Sequence, residues 1–296
     1  MYKDKLICLV YNPRIADAWK LTQAIIKSRG IHEESCWVAS VEELETLATS
    51  SIIDTSLVIT VGGDGTILRA VKLASPHRIP ILGVNLGRIG FMTELRAEDA
   101  LEKIPQYVNG DAWIEERTML QARVVPGGVN GEQEGVLEGQ PIHALNDVVV
   151  GRGTVARLIE IETRINGVAL TTYRADGLIV STATGSTGYA LSVGGPILYP
   201  WAQDLLIKPV AAHLSFGTAM VLPHDSVIDL TILTDHQAMM SVDGFVDVPL
   251  SFKYRVQVKA SPYVARFLRG HPVTHFYATL TQRLGLNKGN GMPGIR

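Results

Sequence analysis

The segment Gly62-Gly63-Asp64-Gly65-Thr66 combines three glycines with one carboxylate, directly after the apolar run 57–61. Glycines let a backbone approach a phosphate closely and present its N–H groups to it. A carboxylate held beside that phosphate accepts the proton of an attacking alcohol, which is a weak nucleophile at neutral pH. The segment therefore predicts a phosphoryl-transfer site with Asp64 as the proton acceptor.

A tight β-hairpin is an alternative interpretation of this segment, because Asp-Gly between apolar runs is a common turn sequence. Two observations favour phosphate binding. A hairpin turn needs fewer than three glycines, and the apolar run 80–84 follows as a further strand, which is typical of a strand–helix–strand unit. The loop matches neither GxxxxGK(S/T) nor GxGxxG, so it is not a P-loop or a Rossmann dinucleotide fingerprint.

Alternating apolar and amphipathic stretches position this loop. The runs 5–11, 56–61 and 79–84 are expected to be strands, and the stretches 16–29, 66–74 and 97–108 are expected to be helices. Strands that alternate with helices indicate a parallel sheet covered on both faces. We therefore expect a Rossmann-like α/β domain over residues 1–115.

The pattern changes near residue 113, where short alternating segments separated by turn residues begin. This pattern indicates an antiparallel, all-β domain, which we place at residues 116–270. Within it, the Gly- and Glu-rich segment 126–141 is expected to be a mobile loop, and Asp243-Gly244 a hairpin turn. A helical pattern returns at 276–284, within a C-terminal segment of residues 271–296.

Asn146 and Asp147 stand at the start of one of these β segments. An amide and a carboxylate there could hold a sugar hydroxyl. The alternative is an Asx turn, in which these side chains bond only to nearby backbone.

A second polar cluster follows the expected strand 178–181, where hydroxyls and glycines lead to Tyr189. Hydroxyls and exposed N–H groups could read the edge of a base, and Tyr189 could stack on a ring. The alternative is a helix whose N-cap is Ser186 or Thr187. His213 could contact a phosphate, although a lone His among apolar residues is more often structural.

Composition excludes several classes of function. The formal net charge is −2 and basic residues are scattered, so no nucleic-acid partner is expected. Residues 177–203 carry no charge, but glycines and prolines interrupt them, so no membrane span is expected. Cys8 and Cys36 form no CxxC pair and fit buried thiols in a reducing cytoplasm.

Four ordered motifs, which together cover most of the chain, resemble those of the NAD kinase family. They are Gly62–Thr66, Gly83–Leu95, Asn146-Asp147 and Asp176–Pro196. The last motif is the most specific, because few families follow a strand with such a stretch and a Gly-Gly-Pro turn. The first is shared with diacylglycerol, sphingosine and phosphofructo-kinases, so it does not decide the substrate.

The resemblance implies an N-terminal α/β domain, a C-terminal β-sandwich and a last helix that returns to the first domain. It also implies transfer of phosphate from ATP, or in some members polyphosphate, to the 2′-hydroxyl of the adenosine ribose of NAD. A divalent cation such as Mg²⁺ would be required. The partners would be small molecules, NAD and ATP, and the chain would form a cytoplasmic homodimer or homotetramer.

The resemblance further assigns residues by position. Asp64 would be the proton acceptor, and the ATP phosphates would lie on Gly62, Gly63, Gly65 and Thr66. The NAD-binding residues would be Asp64, Gly65, Arg69, Asn146, Asp147, Arg157, Arg174, Asp176, Thr187, Gly188, Tyr189, Ala190, Leu191 and Ser192. No protein ligand of the metal is assigned.

The chain departs from the family pattern in several places. The stretch 214–218 lacks the Arg-Pro pair that often precedes the strand at 221–223. Asp147 stands where Glu is common, Ala183 where Pro is usual, Gly188 where Ala is usual and Phe245 where Gln is frequent. These departures concern the details of nucleotide binding rather than the reaction.

Two other functions are compatible with the glycine loop. A lipid kinase would share the loop and would need an apolar acceptor groove, which nothing in the sequence marks. A dinucleotide sensor would bind NAD without forming NADP, but it would have no use for a proton acceptor at Asp64.

Overall fold

The computed structural model of the chain describes residues 2, 5–28, 33–44, 52–87, 90–125, 140–153, 157–213 and 216–285. The chain divides into two compact units. The first consists of Met1–Glu115 with Arg266–Arg296, and the second of Glu116–Ala265. The predicted loop at 126–141 and the tail beyond residue 285 lie wholly or mostly outside the described residues. None of the helices built from the described residues is long and apolar enough to cross a membrane.

The first unit is built on a parallel sheet. Its strands are β1 (Leu6–Tyr11), β2 (Cys36–Ser40), β3 (Thr55–Gly62), β4 (Pro80–Asn85) and β5 (Leu95–Arg96). β1 pairs with β2 and β3, β3 pairs with β4, and β4 pairs with β5, all in parallel. Consecutive residues of β1, such as Cys8 and Leu9, are fully buried, so both faces of the sheet are covered.

Among the described residues, the helices that accompany this sheet include α1 (Ala18–Ile26), α2 (Asp64–Ala74), α3 (Ala97–Asn109) and, near the C-terminus, α5 (His275–Leu284). The apolar faces of α1 and α3 share one core with the sheet, which includes Ala18, Ile25, Ile104, Val108, Leu9, Ile59 and Leu82. α3 ends at Gly110, whose φ of 111° no other residue adopts easily. The expected α/β fold of the N-terminal part is therefore confirmed.

The glycine loop joins a strand, a helix and a parallel strand. β3 and β4 pair in register from Val58↔Ile81 to Gly62↔Asn85, so the hairpin interpretation is wrong. The helix that follows begins at Asp64, two residues before the predicted start at Thr66. Gly63 is its N-cap, and the Thr66 hydroxyl accepts the Gly63 N–H at 3.4 Å. Asp64 therefore lies in the first turn of α2.

The second unit contains two antiparallel sheets. Its strands are β6 (Trp113–Val125), β7 (Ile142–Ala144), β8 (Asp147–Arg152), β9 (Ile159–Ile165), β10 (Val168–Ala175), β11 (Gly177–Ser181), β12 (Leu205–Val210), β13 (Met220–Leu222), β14 (Ile228–Ile232), β15 (Ala238–Val242), β16 (Val246–Leu250) and β17 (Arg255–Arg269). β6 and β17 continue into the first unit. One sheet has the order β13-β12-β11-β8-β15-β16, and the other contains β10, β9, β14 and β17.

Side chains from both sheets form a single core, which includes Val148, Val180, Ile207, Met240, Ile161, Tyr173, Leu230 and Val258. The predicted β-sandwich is thus confirmed. The predicted strand 143–150 is divided at Leu145 and Asn146, and the predicted strand 255–260 extends to Arg269.

The predicted hairpin at Asp243-Gly244 is confirmed, because β15 and β16 pair across it. Asp243 and Gly244 have φ values of 51° and 69°, and Phe245 N–H bonds to the Val242 carbonyl at 3.1 Å. This is the geometry of a type I′ turn.

Candidate active site

The carboxylate of Asp64 is held by backbone donors. It extends from the first turn of α2, just beyond the carboxyl end of β3, where ligands bind in open parallel sheets. Its Oδ2 accepts the Phe91 N–H at 2.9 Å, and its Oδ1 accepts the Met92 N–H at 3.2 Å. The side chain is 25% exposed. These two bonds fix the orientation of the carboxylate while one edge still faces solvent.

Two glycines are required by the close approach of neighbouring groups. A Cβ on Gly62 would collide with the Thr66 hydroxyl, and one on Gly90 would collide with Asp64 Oδ1. By contrast, nothing lies within 4 Å of the positions that a Cβ would take on Gly63 and Gly65. Gly62 therefore lets the loop fold back on Thr66, and Gly90 lets the neighbouring segment approach Asp64, whereas Gly63 and Gly65 leave open space at the start of α2.

The start of α2 provides donors for an anion. The N–H groups of Thr66 and Ile67 bond to the Gly63 carbonyl at 3.0 and 3.3 Å. The N–H groups of Asp64 and Gly65 are the first two of the helix and have no intrahelical acceptor. They lie at the positive end of the helix dipole, beside the open space, and can therefore bind a phosphate oxygen.

Arg283, on α5, places a positive charge beside this carboxylate. Its Nη2 lies 3.8 Å from Asp64 Oδ2, and its guanidinium lies 4.8 Å from the centre of the Phe91 ring. A cavity of about 590 Å³ adjoins it, lined by Asn85, Leu86, Gly87, Arg96, Ala97, Glu98, Gln282 and Arg283. Sequence reasoning missed Arg283, since a single basic residue in the last turn of a helix usually serves only the helix dipole.

The segment that binds Asp64 is itself tied to a buried ionic cluster of Glu94, Glu115 and Arg269. Arg269 Nε bonds to Glu115 Oε2 at 2.6 Å, and its Nη1 lies 3.2 Å from Glu94 Oε2. Burial alone would raise the pKa of the Glu94 carboxyl, but the charge of Arg269, followed by hydrogen bonds to the carboxylate, outweighs it and lowers the pKa. Glu94 is therefore ionised beside the guanidinium.

In the second unit, a cavity of about 420 Å³ is lined by Asn146, Asp147, Val149, Tyr189, Ser241, Asp243 and Gly244. Three of these residues, Asn146, Asp147 and Tyr189, are among the predicted NAD-binding residues. Asp243 and Gly244 were predicted only to form a turn. The Asp-Gly pair predicted the turn correctly. It could not show that Asp243 also lines a cavity.

Asp243 takes the backbone donors at the start of β8. Its carboxylate accepts the N–H groups of Leu145 and Asn146 at 2.8 Å each and that of Asp147 at 3.1 Å. Asp147 is 7% exposed. Burial, and then the negative charge of Asp243, raise the pKa of the Asp147 carboxyl to about 7.

The side chains of Asn146 and Asp147 do not bond to the adjacent backbone in the part of the chain that the structure describes, so the Asx-turn alternative is not supported. The two polar groups instead line the cavity. Their geometry leaves them available to a ligand.

The hydroxyls of the segment after β11 mostly serve the protein itself. Five of them donate to a backbone carbonyl: Ser181 to Asn146, Thr182 to Leu145, Ser186 to Ala183, Thr187 to Thr184 and Ser192 to Tyr189. The buried hydroxyl of Thr184 has no hydrogen-bond partner among the described residues. The protons of these five hydroxyls are therefore committed to the backbone, and the expectation that the segment reads a base edge stays a prediction. The N-cap alternative is wrong, since the short helix α4 (Tyr189–Ser192) follows a 3-10 turn and is preceded by Gly188.

The remaining predicted residues lie in varied surroundings. Tyr189 is 44% exposed, whereas Ala190 is fully buried and packs with Ile179 and Leu206. Asp176 forms an ion pair with Arg152 at 3.3 Å. Arg157, Arg174, Gly188 and Ser192 are exposed, and Arg69, Thr187 and Leu191 are half-buried. None of these residues lines the cavity beside Asp147. His213 is exposed.

Among the described residues, no group of three or more His, Cys, Asp or Glu side chains is placed to hold a metal ion. A divalent cation at Asp64 would therefore need most of its ligands from phosphate and water, which is the usual coordination of Mg²⁺ in phosphoryl-transfer sites.

The sequence matches the two domains of one family. Residues 20–112 match the ATP-NAD kinase N-terminal domain, and residues 145–270 match the ATP-NAD kinase C-terminal domain. Curated relatives named NAD kinase extend over nearly the whole chain. That of Dehalococcoides mccartyi strain CBDB1 is 42% identical over 98% of both chains. That of Chloroflexus aggregans is 38% identical over 94% of this chain and 98% of its own.

Solved structures share the fold. Yeast NADH kinase complexed with NADH has a TM-score of 0.81 at 22% identity and covers 99% of this chain and 92% of its own. An NAD kinase from Archaeoglobus fulgidus in complex with ATP has a TM-score of 0.70 at 23% identity and covers 93% of this chain and 98% of its own. At these identities the likeness concerns the fold alone.

Proposed function

Because the chain belongs to the NAD kinase family, we propose that Asp64 is the proton acceptor of its reaction. That reaction transfers the γ-phosphate of ATP to the 2′-hydroxyl of the adenosine ribose of NAD and gives NADP. Neither a lipid kinase nor a non-catalytic sensor agrees with relatives that are named NAD kinase over 98% of the chain.

The observation that carries the proposal is the orientation of the Asp64 carboxylate. Two backbone N–H groups hold it just beyond β3, beside the N–H groups of Asp64 and Gly65, which have no intrahelical acceptor. A hydroxyl that approaches the exposed edge of the carboxylate would meet a proton acceptor next to an anion-binding helix end. This arrangement suits attack of an alcohol on a bound phosphate.

We assign the ATP phosphates to the start of α2. The N–H groups of Asp64 and Gly65, and the open space at Gly63 and Gly65, would accommodate phosphate oxygens. Arg283, whose guanidinium lies within 4 Å of Asp64, would neutralise negative charge that develops on the transferred group. Gly62 and Thr66 would shape the loop rather than contact the phosphates.

A divalent cation, Mg²⁺ in our proposal, would accompany ATP. The described residues offer no cluster of three ligands, so the phosphates would carry the ion and we assign no protein ligand. When bound, the ion would neutralise phosphate charge. Asp64 itself would remain the group that receives the proton.

We assign NAD to the second unit, where Asn146, Asp147 and Tyr189 line the cavity. An ionised Asp147 could accept bonds from ribose hydroxyls, and Tyr189 could stack on a ring. The other NAD-binding residues implied by the family pattern remain part of the proposal: Arg69, Arg157, Arg174, Asp176, Thr187, Gly188, Ala190, Leu191 and Ser192.

Location and assembly are proposed as well. Cys8 and Cys36 are free thiols, which agrees with a reducing cytoplasm. We propose a homodimer or homotetramer. Size-exclusion chromatography with light scattering would distinguish these from a monomer.

The test of the proposal is Asp64→Asn, which keeps the shape of the side chain and removes the proton acceptor. We expect kcat for NADP formation from ATP, NAD and Mg²⁺ to fall by about 10²–10⁴-fold, the usual contribution of a general base. The KM for NAD should change little. Asp54→Asn, at an exposed site, is the matched control, and near-normal turnover of Asp64→Asn would refute the assigned role.

A further inference from the structure

We propose that Arg269 is a positioning residue for Asp64. Its guanidinium holds the backbone of Met92 so that the N–H of Met92 meets the carboxylate. This inference rests on the proposed role of Asp64 as the proton acceptor.

Both backbone groups of Met92 are used. Its N–H donates to Asp64 Oδ1 at 3.2 Å, and its carbonyl accepts from Arg269 Nη1 at 2.9 Å. Residues 90–94 belong to no helix or strand, so no ladder of hydrogen bonds fixes their conformation. The side-chain contact from Arg269 to the Met92 carbonyl therefore helps to define where the Met92 N–H points.

Arg269 is itself rigidly held. Its side chain is 8% exposed, and it contacts Glu115 at 2.6 Å and Glu94 at 3.2 Å. Its guanidinium also lies 4.9 Å from the centre of the Phe267 ring. A planar guanidinium with several fixed partners has few alternative orientations, so the donor to Met92 is held in a single direction.

The segment is attached to Arg269 at a second point, the side chain of Glu94. Glu94 Oε1 accepts the Tyr107 hydroxyl at 2.8 Å, the Gly270 N–H at 2.8 Å and the His271 N–H at 3.1 Å. Its own N–H bonds to the Gly83 carbonyl of β4 at 2.8 Å. The segment is thus anchored both to the central sheet and to the end of β17.

This arrangement matters for the reaction because a base acts efficiently only at a defined position. A displacement of about 1 Å is enough to cost about 10²-fold in rate. If Arg269 released Met92, the carboxylate would lose one of its two orienting N–H donors. The buried ionic cluster therefore has a role in turnover beyond its role in folding.

The first experiment is Arg269→Lys, which keeps the positive charge near Glu94 and Glu115 but cannot reach Met92 with the same fork. We expect kcat to fall by about 10- to 100-fold. The KM values for ATP and NAD should stay within about twofold, since the contacts at the start of α2 and in the second unit are untouched.

A double-mutant cycle separates positioning from general damage. In the Asp64→Asn background there is no proton acceptor to position, so Arg269→Lys should cause no further loss of kcat. If the two losses multiply, or if folded Arg269→Lys keeps the wild-type kcat, the inference is wrong.

Tyr107→Phe is the matched control. It removes one donor to Glu94 but no contact to Met92, so it should lower Tm and leave kcat near the wild-type value. Should Arg269→Lys not fold, Glu94→Gln replaces it in the same cycle. That variant keeps an oxygen acceptor and weakens the hold on Arg269, and its loss of kcat must likewise vanish in Asp64→Asn.

Discussion

Two carboxyl groups, Asp64 in the first unit and Asp147 in the second, differ in the hydrogen-bond donors that surround them. Asp64 accepts two backbone N–H groups and lies 3.8 Å from a guanidinium. Asp147 is buried, and among the described residues no donor bonds to its carboxyl. The donors near it go to Asp243, which accepts three backbone N–H groups.

The difference shows how one side-chain type is prepared for two tasks. A carboxylate that must receive a proton has to be oriented, and Asp64 has donors that orient it. The donors near Asp147 go to Asp243 instead. Burial of the Asp147 carboxyl, followed by the negative charge of Asp243, raises the pKa of Asp147 to about 7. Its unused oxygen atoms favour binding of a ligand that brings its own donors.

The largest effect in this comparison is expected when the Asp64 carboxylate is moved but not removed, because this tests whether its orientation determines kcat. In Gly90→Ala, the added Cβ would collide with Asp64 Oδ1. Because a small displacement of a reacting group costs about 10²-fold, we expect kcat to fall by about that factor. The KM for NAD should remain near the wild-type value, since the cavity beside Asp147 is unchanged. Steady-state assays of NADP formation measure both constants.

Gly217→Ala is the control for this prediction, because its added Cβ would make only an ordinary contact of 3.8 Å with Ala212. An unchanged kcat in Gly90→Ala would show that Asp64 tolerates displacement. The claim that Asp64 must be oriented by its N–H donors would then be wrong.

The raised pKa of Asp147 is tested by the pH dependence of stability in Asp147→Asn. The pKa of Asp147 rises on folding from 3.8 to about 7, so the native state binds this proton more tightly than the unfolded chain. The resulting stability is fully present below about pH 3.8 and is lost as pH rises to about 7. Asparagine carries no charge and suffers no such loss.

We therefore expect Asp147→Asn to be more stable than the wild type at pH 8, with the advantage shrinking as pH falls toward 4. For a chain of this size, each kcal/mol corresponds to about 2–4 °C in Tm, so melting curves at pH 8, 6 and 4.5 measure the trend. A difference in Tm that does not change with pH would contradict the assigned pKa. Asp247→Asn, at an exposed site on β16, controls for loss of a negative charge.

The local parts of both sites were accessible from sequence. The buried strand, the glycines and the following strand predicted β3, α2 and β4, because each depends on neighbours within about ten residues. The start of α2 was predicted two residues late, since Asp-Gly disfavours a helix interior but is accepted in its first turn. The strand β10 was missed, although Asn166-Gly167 before it, with φ values of 50° and 78°, is a strong hairpin sequence.

The supporting residues were not accessible. Asp243 serves residues 145–147, and Arg269 serves Met92 and Glu94, across long stretches of chain. Only the folded sheet order brings such groups together, and a single sequence carries no periodic signal for them. The bonds that several hydroxyls after β11 donate to backbone carbonyls were likewise not accessible, since composition alone does not show where a hydroxyl proton is directed.

The smallest effect is expected from a variant that perturbs the N–H groups at the start of α2 and leaves the Asp64 carboxylate in place. In Gly65→Ala, the methyl group meets no atom within 4 Å, and alanine is preferred over glycine in a helix by about 1 kcal/mol. Tm should therefore stay the same or rise slightly. The methyl group would, however, occupy space beside the N–H groups that we assign to phosphate, and a loss of about 1 kcal/mol would raise the KM for ATP roughly fivefold. Steady-state assays with varied ATP measure this KM, and thermal melts measure Tm. An unchanged KM for ATP would show that the phosphates do not bind at the start of α2.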